Sequence, residues 1–120
     1  MGNKQNDSEN LIEIPKAKVK KLCGLFQKLE KMSQVKRREF FSRISKADCL
    51  LVSETVLNFL NGRIPPDFDS FKLLKRCAKH LKLLASKKIS IKSKKKILQS
   101  VKGLQIVTIL IALIKPLLCC

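Results

Sequence analysis

Cys77 and His80, the chain's single histidine, stand three residues apart in the run "FKLLKRCAKHLKLLA". On a helix that spacing sets a sulfur beside an imidazole, the pairing of a nucleophile with its base or of two zinc ligands. Neither chemistry is completed elsewhere. No third group stands ready to orient the imidazole, and two ligands do not make a zinc site. The sequence also lacks a glycine-rich phosphate loop and paired carboxylates in an apolar setting. The expectation is a protein that is not an enzyme and uses no metal and no cofactor.

Lysine carries the remaining chemistry. The 120 residues hold 26 Lys plus Arg against 9 Asp plus Glu, a formal charge of +17. Self-repulsion of that size weakens a compact fold, so a polyanionic partner is expected to offset it. The charge is concentrated: acids occur up to Asp69 and then cease. Beyond them come Lys72, Lys75, Arg76, Lys79, Lys82, Lys87, Lys88, Lys92, Lys94, Lys95 and Lys96, with Lys102 following. A one-sign block of this length reads as a nucleic-acid-binding surface rather than an ordinary solvated face. Tyr and Trp are absent, which removes the usual stacking platform for single strands. Lysine outweighs arginine, so bidentate reading of guanine edges is not the expected mode. What is left is point-charge neutralisation of phosphate, blind to base sequence, with double-stranded DNA as the expected nucleic acid.

A second feature pulls the other way. Residues 104–114 carry no charge, and Leu104, Ile106, Val107, Ile109, Leu110, Ile111, Leu113 and Ile114 form a candidate membrane- or partner-docking segment. Residues 104–120 would rise roughly 25 Å as helix, short of the about 30 Å hydrocarbon core of a bilayer. Three readings stay open: completion of a core, docking on a partner such as a capsid protein or a second copy, and shallow insertion into an anionic membrane with lysines on the headgroups. The β-branched run "IVTILI" leaves strand in competition with helix.

These groups need elements to hold them. Residues 1–14 are polar and aperiodic at their start and read as a disordered arm; Gly2 fits a myristoylation signal only weakly, since Asn6 stands where Ser or Thr is wanted. Pro15 suits a helix start, and Val19, Leu22, Cys23, Phe26, Leu29 and Met32 then recur at helical spacing. A shorter helix from about Ser33 is expected to turn Val35, Phe40, Phe41 and Ile44 inward and to leave Lys36, Arg37, Arg38 and Arg43 outside. "ADCLLVSETVLNFLNG" is apolar around most of its circumference, as a central helix should be, and Asn61-Gly62 is its stop. Pro65 and Pro66 make a rigid connector, and Asp67 or Asp69 can cap the next helix. That helix is expected to run to Ala85, with Phe71, Leu74, Cys77, Leu81 and Leu84 on one half and the cations on the other. Ser90 caps a last helix whose Lys92, Lys94, Lys95 and Lys96 oppose the macrodipole, a cost that bound phosphate would relieve. Cys23, Cys49, Cys77, Cys119 and Cys120 are odd in number and widely spaced. They read as unmodified free thiols of a reducing compartment.

From Ala47 to Leu98 the chain resembles a small basic protein of Polinton or Maverick transposons and of adinto- and adenovirus-like elements. The resemblance lies in the order "LNFLNGRIP", a basic helix ending "LKLLA", "SKKISIKSKKKIL", and then a hydrophobic tail. It implies a minor virion or DNA-core component, in which Lys87, Lys88, Lys92, Lys94, Lys95 and Lys96 contact phosphate. Two positions depart from the pattern: Lys102-Gly103-Leu104 replaces a Gly-Gly pair, and Asp67-Phe68 replaces a Thr-Pro cap.

The expectation is therefore an all-α fold, a small helical bundle of four to five short helices. It divides into a disordered arm (1–14), a basic helical domain (15–102) and a hydrophobic C-terminal tail (103–120). Its expected location is a virion or the host nucleus, or alternatively a membrane surface, without secretion through a signal peptide.

Overall fold

The computed structural model describes residues 15–62 and 68–118. The expected arm at 1–14, the Pro65-Pro66 connector, the Asp67 cap and Cys119-Cys120 lie outside the described residues. Every element among the described residues is a helix: α1 (Lys16–Glu30), α2 (Gln34–Ser42), α3 (Lys46–Leu60), α4 (Phe68–Arg76), α5 (Ala78–Ala85), α6 (Ile91–Gln99) and α7 (Val101–Leu118). The fold is all-α. Seven helices stand where four to five were expected, for two reasons. The helix expected to reach Ala85 breaks at Cys77, whose backbone (φ −101°, ψ 13°) is not helical and whose N–H bonds the Leu74 carbonyl in a tighter turn. The tail, left open between helix and strand, is α7.

Serine punctuates the chain. Ser33, Ser45 and Ser90 occupy the N-caps of α2, α3 and α6, each accepting from the backbone N–H three residues on, at 3.1–3.2 Å. Ser100 Oγ accepts from Gly103 N–H at 3.0 Å and opens α7 in the same way. Each such cap stabilises its helix by about 1 kcal/mol. At the other end of α3, Gly62 adopts φ +76°, the left-handed turn anticipated at Asn61-Gly62.

Two helices are buried on most sides. Along α3, Cys49, Leu51, Val52, Ser53, Thr55, Val56 and Asn58 are all buried. Its polar side chains turn back on the helix, with Thr55 Oγ1 donating to Leu51 O at 2.9 Å and Asn58 Nδ2 to Glu54 O at 2.8 Å. The other is α7. Ile106, Leu110 and Ile114, one helical turn apart, are fully buried, and Leu104, Val107, Ile109 and Ile111 are nearly so. Among the described side chains of α7, those that face outward are Val101, Lys102, Gln105, Thr108, Ala112 and Pro116. Helices α1, α5 and α6 each touch both α3 and α7, while α2 and α4 close the α7 side. Residues from Leu104 to Ile114 thus supply much of the bundle's core.

Helices α6 and α7 meet at 85°. Gly103 makes that corner possible: a Cβ there would lie 1.8 Å from the Ile97 carbonyl oxygen and 2.8 Å from Leu98 Cα. Gly24 in α1 faces open space instead.

Several side chains sit on the unexpected side. Val35 is 64 % exposed and Phe71 49 % exposed, although both were placed inward. Within α4, Leu74 is buried while Phe71 and Leu73 are exposed. Arg37, expected outside, is buried. Its Nε donates to Leu29 O at 2.7 Å, and Nη1 donates to Thr108 Oγ1 at 2.9 Å. The guanidinium therefore holds a carbonyl in the last turn of α1, where the macrodipole favours a cation, and ties it to α7.

Candidate polyanion-binding surface

Three consecutive helices and one turn carry the basic block. On α4, Lys72, Lys75 and Arg76 are exposed, and Lys75 Nζ lies 5.7 Å from the Phe71 ring centroid, within cation–π reach. On α5, Leu81, Leu84 and Ala85 go inward while Lys79 and Lys82 remain in solvent. Lys87 and Lys88 are exposed in the turn before α6, and Lys92 and Lys96 are exposed on α6 itself. Lys102, at the start of α7, extends the set: its Nζ lies 3.4 Å from the Arg76 carbonyl at the end of α4. Arg38 of α2 reaches the end of α6, donating from Nε to Gln99 O at 3.0 Å. No acid follows Asp69 in the sequence, so the stretch from Lys72 to Lys102 carries no carboxylate of its own.

Two members of the expected set are placed otherwise. Lys95 is half-buried. Lys94 is 2 % exposed, and its Nζ donates to Ser53 Oγ at 2.9 Å. Burial pushes its pKa below the ordinary lysine value, against a smaller opposing influence from Cys49. Lys94 therefore does not stand on the outer surface with its neighbours. It was indistinguishable from them in "KSKKKIL" because a four-lysine run gives no clue to which member faces α3.

Cys77 lies at the break between α4 and α5, and His80 lies in the first turn of α5. Cys77 is buried, and its Sγ lies 3.9 Å from Gln105 Oε1 on α7. Burial raises its thiol pKa, with Lys102 pulling the other way, so the thiolate is disfavoured. The His80 Nδ1 is buried without a hydrogen-bond partner. Among the described residues, no cluster of three or more His, Cys, Asp or Glu could hold a metal ion. Cys49 is likewise a free buried thiol, its pKa raised by burial. Cys23 differs from the free-thiol expectation, since it is disulfide-bonded.

The docking candidates form a continuous part of the core. Leu104, Ile106, Val107, Ile109, Leu110, Ile111 and Ile114 are buried and Leu113 is partly buried against them. Presenting them to a bilayer or a partner would require α7 to leave the bundle. At roughly 1.5–3 kcal/mol for each buried aliphatic side chain, that costs on the order of 10 kcal/mol, comparable to the whole stability of a small domain. No single helix among the described residues is long and apolar enough to cross a membrane; α6 and α7 reach that length only as a pair bent by 85°. The signal for core placement was in the sequence. Lys102, Gln105, Thr108, Ala112 and Lys115 recur every three or four residues, and they mark one narrow wet stripe on an otherwise apolar helix. Lys115 uses that position to pair with Glu30 at the end of α1.

Compared with known proteins, the chain matches no protein-family model, no curated protein and no solved structure.

Proposed function

We propose that this protein is a non-enzymatic nucleic-acid-binding protein that neutralises the phosphates of double-stranded DNA without reading base sequence. The observation that supports it most is the exposed run of cations on α4, α5, the 86–90 turn and α6, in a stretch of chain that has no carboxylate after Asp69. A soluble bundle seldom leaves so many like charges on consecutive elements, because each addition raises the self-energy of the folded state. Phosphate contacts would lower it and release counterions. The contact set in this reading is Lys72, Lys75, Arg76, Lys79, Lys82, Lys87, Lys88, Lys92 and Lys96, with half-buried Lys95 at its margin and Lys94 excluded by burial. A role in the virion or DNA core of a virus-like transposon, in a virion or nucleus, rests on the resemblance of the 47–98 stretch.

The test is a binding titration against duplexes of unrelated sequence at 50 and 200 mM salt. If six to ten phosphates are engaged, affinity falls by about 10³–10⁵ over that range, equally for each duplex. Replacing Lys79, Lys82, Lys87 and Lys88 by Gln should weaken binding and flatten the salt slope. An affinity that is insensitive to salt refutes the proposal.

A further inference from the structure

Between α3, the 86–90 turn and the first turn of α6 lies a half-open groove of about 530 Å³, a volume typical of small-molecule sites. Leu50, Leu57, Ile89 and Ile91 make its walls largely apolar. Lys94 and Ser53 line it as well, joined by the 2.9 Å hydrogen bond from Nζ to Oγ. Ser53 is the one acceptor that the buried ammonium finds among the described residues. A cation this deeply covered ordinarily has an anionic partner, because a hydroxyl dipole replaces only part of its lost hydration.

The surrounding groups do not supply that partner. Glu54 lines the groove, but its Oε1 is taken by Lys18 of α1 at 3.0 Å. The Cys49 thiol is the ionisable neighbour that would raise the Lys94 pKa, yet burial holds it protonated. Lys46 and Lys87 are exposed members of the lining and add positive charge. The first turn of α6, entered through the Ser90 cap, adds its partial positive charge from the same side. An acidic group entering the groove would thus meet Lys94 and Ser53 in a lining that also holds Leu50, Leu57, Ile89 and Ile91. Asn58, Asn61 and the Lys18-paired Glu54 lie beside them.

We propose that the groove between α3 and α6 binds a single-chain amphiphile with a carboxylate or phosphate head, the head on Lys94 and Ser53 and the chain along Leu50, Leu57 and Ile91. This site differs from the polyanion surface in its buried Lys94 and Ser53, and the two share only the exposed Lys87 at the groove's rim. An anion there raises the Lys94 pKa towards its ordinary value and offsets the cost of burying the charge.

The test uses the full chain and isothermal titration with decanoate and decyl phosphate below their micelle concentrations. Decanol and inorganic phosphate serve as the half-ligands. Both amphiphiles should bind at one site per chain, and each half-ligand at least about tenfold more weakly. Lys94→Met should lose at least about tenfold in amphiphile affinity and keep its affinity for DNA. Leu50→Trp, which retains Lys94 and narrows the groove at a partly exposed position, covers the case of a Lys94→Met chain that does not fold; it should also lose the amphiphile. Equal binding of decanol and decanoate, or undiminished binding by a folded Lys94→Met or Leu50→Trp chain, overturns the proposal. A tighter response to decanoate than to decyl phosphate, or the reverse, identifies which head the site takes.

Discussion

The same substitution at two helical glycines should move stability in opposite directions. Gly24 and Gly103 both lie inside helices, so alanine at either gains about 1 kcal/mol in helix propensity. At Gly24 the new methyl meets nothing within 4 Å. The gain should appear nearly whole, as a stabilisation of about 0.5–1 kcal/mol. At Gly103 the methyl falls 1.8 Å from Ile97 O, 2.7 Å from the carbonyl carbon and 2.8 Å from Leu98 Cα, all backbone atoms of α6. Backbone cannot rotate aside as a side chain does. The two helices have to part by roughly 1.5 Å, and a close-packed core transmits that shift to Leu104, Ile106 and Val107. Overpacking of this kind costs about 3 kcal/mol, at the upper end of its usual range because no flexible atom can yield. For a chain of this size 1 kcal/mol corresponds to about 4 °C in Tm. Gly103→Ala should therefore melt roughly 8–12 °C below the wild type and Gly24→Ala about 2–4 °C above it. Thermal and urea melts followed by circular dichroism at 222 nm measure both. A Gly103→Ala protein that melts within 2 °C of wild type, or above it, would show that α6 and α7 do not cross with the closeness described, since about 3 kcal/mol could not then be hidden.

Arg37→Met should destabilise by about 1–3 kcal/mol, because Leu29 O and Thr108 Oγ1 lose a buried donor. Arg38→Met, on the surface, should cost under about 1 kcal/mol, and equal urea midpoints for the two would contradict the internal role of Arg37. The pH dependence of stability should change in Lys94→Met. With its pKa depressed in the folded state, Lys94 loses its proton on folding over the window between that value and the ordinary lysine value, so the unfolded chain binds more protons there. Wild-type stability should accordingly rise relative to Lys94→Met as pH climbs through that window, with the burial cost present in full below it. Urea midpoints of both proteins from neutral to alkaline pH read the difference, and a constant offset between them would place the ammonium in water.

Much of the fold was legible in the pattern of residues. The near-complete apolar circumference of α3, its Asn61-Gly62 stop and the serine at the head of α6 are local signals, governed by helix geometry and by the backbone groups that a helix end leaves unpaired. The separation of Leu81, Leu84 and Ala85 from Lys79 and Lys82 is equally local, since it follows from the rotation per residue. The basic block was legible as composition, because a missing carboxylate is visible without coordinates.

Other features needed the third dimension. Nothing in "VKRREFF" separates Arg37 from Arg38; the difference arises because Leu29 O and Thr108, 8 and 71 residues away, converge on the first and not the second. Lys94 among its sister lysines is the same case, with Ser53 41 residues distant as the deciding partner. The kink at Cys77 and the tight corner at Gly103 were likewise invisible, since each reflects where a neighbouring helix has to lie. Helical faces are written in near neighbours along the chain. Which charged side chain leaves water depends on acceptors from remote segments, and those meet only when the bundle closes around α7.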